Sequence, residues 1–186
     1  MNDAARVLEG QIRECYGRVV YTHKTHEKCA DLLLERHKRI KLLQIILSAL
    51  VTGGILTTLS DEWDLWATGI SAVLSTALLA LNSYTKDYDL GEIAQKHRRA
   101  AADIWLVREK YLSLLSDLRS SSSALGDVRI VRDSLLSDLH AIYTGAPSTN
   151  YKAYREAQRA LQSLEDMTFS EAEIDAFLPR DLKRGS

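Results

Sequence analysis

The sequence predicts an all-α protein: a two-span transmembrane helical hairpin continuous with long antiparallel cytoplasmic helices, plus C-terminal amphipathic helices packing as a bundle. Three observations carry that expectation. Two uncharged stretches, 42–59 and 65–85, stand five residues apart. Basic residues flank them while the connector is acidic. The polar segments on either side repeat apolar residues in alternating steps of four and three, the pattern of a helix seam. Only two prolines and nine glycines in 186 residues argue against a turn-rich β architecture or a disordered chain.

Residues 1–41 form the expected N-terminal cytoplasmic helix. Leu8, Ile12, Cys15, Val19, Thr22, His26, Cys29, Leu33, Arg36 and Ile40 fall on one seam. The segment is charged throughout, which excludes a cleavable signal peptide within it. Cys15 and Cys29 sit fourteen residues apart, about 21 Å along a helix, too far to bridge. His23, His26 and Cys29 follow at steps of three, but they drift around the helix and no fourth ligand lies near. Packing positions are the better reading, and no metal is expected.

The first span covers 42–59 and the second 65–85, joined by an extracytoplasmic turn at 60–64. As helices they reach about 27 and 31 Å, against a bilayer core of ~30 Å. The first has ten residues from Leu, Ile and Val, contributing about −3 to −6 kcal/mol before polar costs. The second has seven, diluted by alanine and hydroxyl residues. The competing reading is a soluble bundle whose two central helices are buried all round. Flanking charge favours the membrane. Arg36, Lys38, Arg39 and Lys41 precede the first span, and Lys86, Lys96, Arg98 and Arg99 follow the second. The tip carries Asp61, Glu62 and Asp64. That asymmetry places both termini in the cytoplasm, with Trp63, Trp66, Tyr84 and Tyr88 at the interfaces.

Residues 86–119 are expected to run on as a cytoplasmic stalk helix, with Leu90, Ile93, His97, Ala100, Ile104, Val107, Tyr111, Leu114 and Leu118 as its seam. His26 and His97 interrupt the two seams; buried histidines can sense pH, though a hydrogen-bonded packing role is favoured. The C-terminal helical segment, 120–178, opens on Ser120–Ser123 and Gly126, a break. Val128, Val131, Leu135, Leu139 and Ile142 line a further helix, ended by Gly145-Ala146-Pro147. A short helix follows from Tyr151 to about Glu165, and Ser170 with Glu173 forms a capping box. Residues 179–186 are a tail.

Function classes narrow by exclusion. With 24 Lys and Arg against 25 Asp and Glu, the chain lacks the basic excess of a nucleic-acid binder. No phosphate-cradling glycine pattern and no nucleophile motif occurs, so no enzyme and no cofactor is expected. The spans instead hold a polar stripe: Gln44, Ser48 and Thr52 on the first, Thr68, Ser71, Ser75 and Asn82 on the second. Polar groups in hydrocarbon need a partner or water. One reading is interhelical glue, helped by close packing at Ala49, Gly53, Ala72 and Thr76. The other is the wall of an aqueous pore assembled from several copies. Spacing alone favours glue.

Arg18 to Asp31, RVVYTHKTHEKCAD, on a long helix leading into a two-span hairpin and a long returning helix, resembles the SLATT domains, the SMODS and SLOG-associating two-transmembrane effectors of prokaryotes. The resemblance covers roughly residues 5 to 165. It implies an effector of an anti-phage defence system in the inner membrane. Such effectors act with a nucleotide second-messenger synthase or sensor encoded separately, and form oligomeric pores that kill or arrest the cell. It turns the polar stripe toward the pore reading. It also raises the possibility that Arg98, Arg99, Arg129 and Arg132 bind the nucleotide signal directly. A non-conducting membrane-anchored scaffold or signalling adaptor is the alternative.

Overall fold

The computed structural model describes residues 3–57, 65–120, 123–164, 166–179 and 183. Among the described residues there are six α-helices: α1 Asp3–Thr57, α2 Leu65–Asp87, α3 Leu90–Arg119, α4 Leu125–Gly145, α5 Tyr151–Ser163 and α6 Glu171–Phe177. No strand occurs among the described residues. The expected turn with Asp61, Glu62, Trp63 and Asp64, and the tail from 180 save Lys183, lie outside them.

The first expectation of a continuous helix holds. α1 runs 55 residues without interruption, about 82 Å at 1.5 Å per residue, because no proline falls within it. The return path differs. A single helix was expected through 65–119, but α2 ends at Asp87 and α3 begins at Leu90. The cause is local. Asp89 is extended (φ −73°, ψ 93°) and its carboxylate accepts from the backbone N–H of Gly91 and Glu92 at 2.8 and 3.0 Å, an N-cap. A Cβ on Gly91 would stand 3.1 Å from that carboxylate, so glycine gives the cap its room.

α1 pairs antiparallel with α2 and α3. Successive contacts run in opposite chain order: Gln44 with Asn82, Arg36 with Tyr84 and His26 with His97. The stalk core lies between α1 and α3. Leu8, Ile12, Cys15 and Val19 meet Ile104, Val107, Tyr111, Leu114 and Leu118, and Val128, Leu135 and Leu139 of α4 close the third side. Eight of the nine expected α3 seam residues are buried; Ile93 is half-buried and its neighbour Ala94 is buried instead. On α1 the seam holds to Cys29, save that Thr22 is half-buried. Beyond it Leu33 and Ile40 are half-buried and Arg36 is exposed. α4 turns Val131 outward, and Ile142 packs at the core edge.

α5 lies on α1 through Ala153, Ala157 and Ala160. Alanines allow close approach, while Tyr21 stacks on Tyr154 with centroids 6.1 Å apart and Gln162 donates to the Tyr21 hydroxyl at 2.7 Å. α6 opens on the expected capping box of Ser170 and Glu173 but buries no residue; of the C-terminal helices, α4 and α5 supply the packing.

Among the described residues no helix is long and apolar enough to cross a membrane. The reason is visible in the sequence. Lys41, Lys38 and Arg39 crowd the start of the apolar part of α1, whose far end runs off the described residues after Thr57. α2 is diluted by Thr, Ser, Ala and Asn. The two-span hairpin is therefore not carried by apolarity of these helices, although they do pair as a hairpin over that region.

Ile104 and Trp105 are adjacent but opposite: Ile104 is fully buried and Trp105 is half exposed. Ile104→Ala is expected to cost about 2–5 kcal/mol. Trp105→Ala should cost under half of that, measured by denaturant unfolding of the detergent-solubilised chain.

Candidate functional site

Two regions carry polar chemistry against an otherwise apolar or packed background: the hairpin formed by α1 and α2, and a histidine layer in the stalk.

In the hairpin, the facing residues alternate by fours and threes. On α1 they are Ile40, Gln44, Leu47, Val51 and Gly54; on α2 they are Ser71, Leu74, Leu78, Leu81 and Thr85, all half-buried in otherwise exposed surroundings. The seam is apolar in its middle and polar at both ends. At the stalk end, the Gln44 amide donates to the Asn82 side-chain oxygen at 2.8 Å and to the Thr85 hydroxyl at 3.1 Å. At the tip end, Gly54 admits Ser71 so closely that a Cβ there would stand 2.6 Å from its hydroxyl.

The stripe residues therefore divide. Gln44 and Ser71 lie in the seam. Ser48, Thr52, Thr68, Ser75 and Asn82 are exposed. At about 100° per residue, all five fall on one flank of the hairpin, the side on which Asn82 reaches Gln44. The opposite flank presents Leu43, Leu50, Trp66 and Ile70, all exposed. Thr52 donates to the Ser48 carbonyl at 2.9 Å, which satisfies its hydroxyl within its own helix. Ala49, Gly53, Ala72 and Thr76 are exposed on the backs of the two helices, away from the α1–α2 seam. The close packing inside the hairpin belongs to Gly54, which spacing did not single out.

The stalk layer joins α1 to α3. His26 and His97 meet at 2.9 Å between their Nδ1 atoms, one donating and the other accepting. Both are buried. Burial, and after it the neighbouring His97 and His23, push His26 down to about 4; burial likewise lowers His97. His23, one turn away, is buried with its Nδ1 lacking a partner among the described residues. Burial lowers it, Glu27 opposes that, and Arg108 and Lys24 reinforce it. Beside it, Lys24 bonds Glu27 at 2.9 Å and Asp166 at 2.7 Å. Burial works against its charge, but the bonds to Asp166 and Glu27 outweigh that and raise it.

No cluster of three or more His, Cys, Asp or Glu side chains able to hold a metal occurs among the described residues. Cys15 and Cys29 are buried and free. Of the four arginines considered for a nucleotide, Arg98 pairs with Asp31 at 3.1 Å, and Arg132 pairs with Asp133 at 2.7 Å and donates to Gln11 at 2.7 Å. Arg99 and Arg129 are exposed.

A helical hairpin with chemically distinct flanks, borne on an antiparallel two-helix stalk, defines an all-α hairpin-and-stalk protein. The chain belongs to SMODS and SLOG-associating 2TM effector domain family 4 (SLATT family 4), which it matches over residues 8–173. The family's name makes it an effector domain and associates it with SMODS and SLOG proteins. No curated protein and no solved structure matches the chain.

The histidine layer sets a pH dependence. His26 is held below its unfolded value near 6.5, so its contribution to stability is complete above about 6.5 and is lost as pH falls toward 4. Falling to pH 5 should remove about 2 kcal/mol through His26 alone, at 1.36 kcal/mol per unit. Thermal unfolding between pH 7.5 and 5 should show this loss in the native chain. A much smaller loss is expected in His26→Gln/His97→Gln.

Proposed function

We propose that this chain is a membrane-embedded, oligomerising and non-enzymatic pore-forming effector of a prokaryotic anti-phage defence system. In this reading it permeabilises the inner membrane and kills or arrests the infected cell, with both termini in the cytoplasm. A nucleotide second-messenger synthase or sensor encoded separately supplies the signal. Family membership supports the effector reading and the two-span arrangement.

The observation that carries the pore reading is the division of the stripe. Five polar side chains share one exposed flank of the hairpin, opposite an apolar one. A pair of helices in lipid has no use for a one-sided polar flank unless another copy or water meets it. Two helices cannot enclose a channel, so several hairpins would turn their polar flanks to a common axis. The second reading, a non-conducting scaffold, draws on the Gln44 bonds to Asn82 and Thr85, where polar groups do act as glue.

The test is membrane potential and entry of an impermeant dye in bacteria induced to express the chain. Depolarisation is expected. Ser48→Leu with Ser75→Leu should reduce it by at least tenfold while the protein stays in the membrane fraction. Ser71 is unsuited to this test because it packs on Gly54. Recovery of the chain in the supernatant without detergent would overturn the membrane reading. Unchanged conduction in the double variant would overturn the flank as the conduit wall.

A further inference from the structure

The hairpin's two outer backs remain without a partner in one copy. With about 100° per residue, Lys38, Leu42, Ile45, Ala49 and Gly53 gather on the side of α1 turned away from α2. Ala72, Thr76, Ala80, Ser83 and Asp87 gather on the side of α2 turned away from α1. All ten are exposed. Leu42 and Ile45 stand out at 59% and 67% exposure, and a Cβ on Gly53 would meet nothing within 4 Å.

The two backs complement each other in size, height and charge. The contacts of Gln44 with Asn82 and of Gly54 with Ser71 fix which residues are level in the hairpin. By the same levels, a neighbouring copy standing side by side would set the bulky Leu42 and Ile45 against the small Ser83 and Ala80. Ala49 would meet Thr76, and Gly53 would meet Ala72. Thr76 already donates to the Ala72 carbonyl at 2.9 Å, so its hydroxyl demands no outside partner. At the stalk end, Lys38 would face Asp87, and neither has an ion-pair partner among the described residues.

Neither back suits itself. Two α1 backs side by side would oppose Lys38 to Lys38 and bulky residues to bulky ones; two α2 backs would oppose Asp87 to Asp87. Lipid chains have no preference for a small-residue face that matches a bulky one at equal height. A contact between unlike faces repeats from copy to copy and closes into a ring where the rotation between copies brings the last back to the first.

Resting on the membrane-hairpin reading above, we propose that the back of α1 in one copy docks on the back of α2 in a second copy of this chain, head to tail. In that arrangement each hairpin keeps one flank toward the ring axis and the other outward. The flank holding Ser48, Thr52, Thr68, Ser75 and Asn82 is the inward one.

Cysteine crosslinking of the full chain in bacterial membranes tests this, with copper phenanthroline as oxidant and the unsubstituted chain as the control for Cys15 and Cys29. Ala49→Cys or Thr76→Cys alone should leave the chain unlinked. The two singles co-expressed should give dimers, and both substitutions in one chain should give a ladder beyond the dimer. Self-crosslinking of either single variant, or no linkage in the double, overturns the proposal; the latter outcome leaves lipid on these faces. Charge reversal provides a second readout. Lys38→Asp and Asp87→Lys should each lower linkage by roughly two- to fivefold, and together restore it; failure of the pair to restore overturns the Lys38–Asp87 contact. A ladder in cells that keep their potential supports this interface and counts against the pore. Depolarisation with no ladder does the reverse.

Discussion

Everything in this molecule depends on the antiparallel pairing of α1 with α3. Neither helix has a wide enough apolar face to be stable alone, and each supplies the surface that the other must bury. The pairing is apolar from Leu8 to Val19 on one side and from Ile104 to Leu118 on the other. It changes character at His26 and His97, where two imidazoles exchange a single hydrogen bond in a buried layer. That bond fixes axial register, because sliding either helix by one residue would leave two buried ring nitrogens without partners. α4 and α5 then attach to the outside of this pair. The hairpin inherits its alignment from it, so that Gln44 arrives opposite Asn82 and Gly54 opposite Ser71.

Much of this was legible in the sequence because a helix seam is a periodic signal. The steps from Leu8 to Cys29 and from Leu90 to Leu118 announced the buried faces almost residue by residue. The break at Tyr88–Asp89 is not marked by a proline, and the only spacing signal for it is a slip in the seam, which steps by five from Thr85 to Leu90. Asp89, Gly91 and Glu92 contained the capping signal, and an acidic residue three before a glutamate at a helix start was the clue. His26 and His97 were recognised as interruptions, but their mutual contact depends on the register between two helices 71 residues apart in sequence, which one-dimensional spacing does not contain.

The hairpin's polar residues show the same limit more sharply. Residues four apart on one helix share a face, and spacing says so. Whether that face meets the neighbouring helix depends on rotation about the helix axis, which is set by the packing of Leu47, Val51, Leu74 and Leu78. That rotation sends Gln44 and Ser71 inward and leaves Ser48, Thr52, Thr68, Ser75 and Asn82 on one side. It also turns Ala49, Gly53, Ala72 and Thr76 outward, so that small residues suggestive of packing within the hairpin stand on its outside. The SLATT resemblance was legible from the run Arg18 to Asp31 on a long helix leading into a hairpin and a returning helix, not from any catalytic signature; the assignment to family 4 comes from the match over residues 8–173.

The two arms of the hairpin enter the stalk differently. α1 passes from one to the other as a single rod of 55 residues, whereas the other arm is cut at Tyr88–Asp89 and restarted by a capping carboxylate. A rod transmits thrust and torque along its axis; a jointed arm relieves them at the joint. A push or twist applied at the far end of α1, near Leu8, would therefore arrive at Leu47 and Val51 almost undiminished, while the same motion in α3 would dissipate before reaching Leu81. The difference would be felt as shear along the α1–α2 seam. Any axial offset between α1 and its partner arm would therefore be taken up at the Tyr88–Asp89 joint, about 60 Å along α1 from a displacement near Leu8 to the middle of the seam.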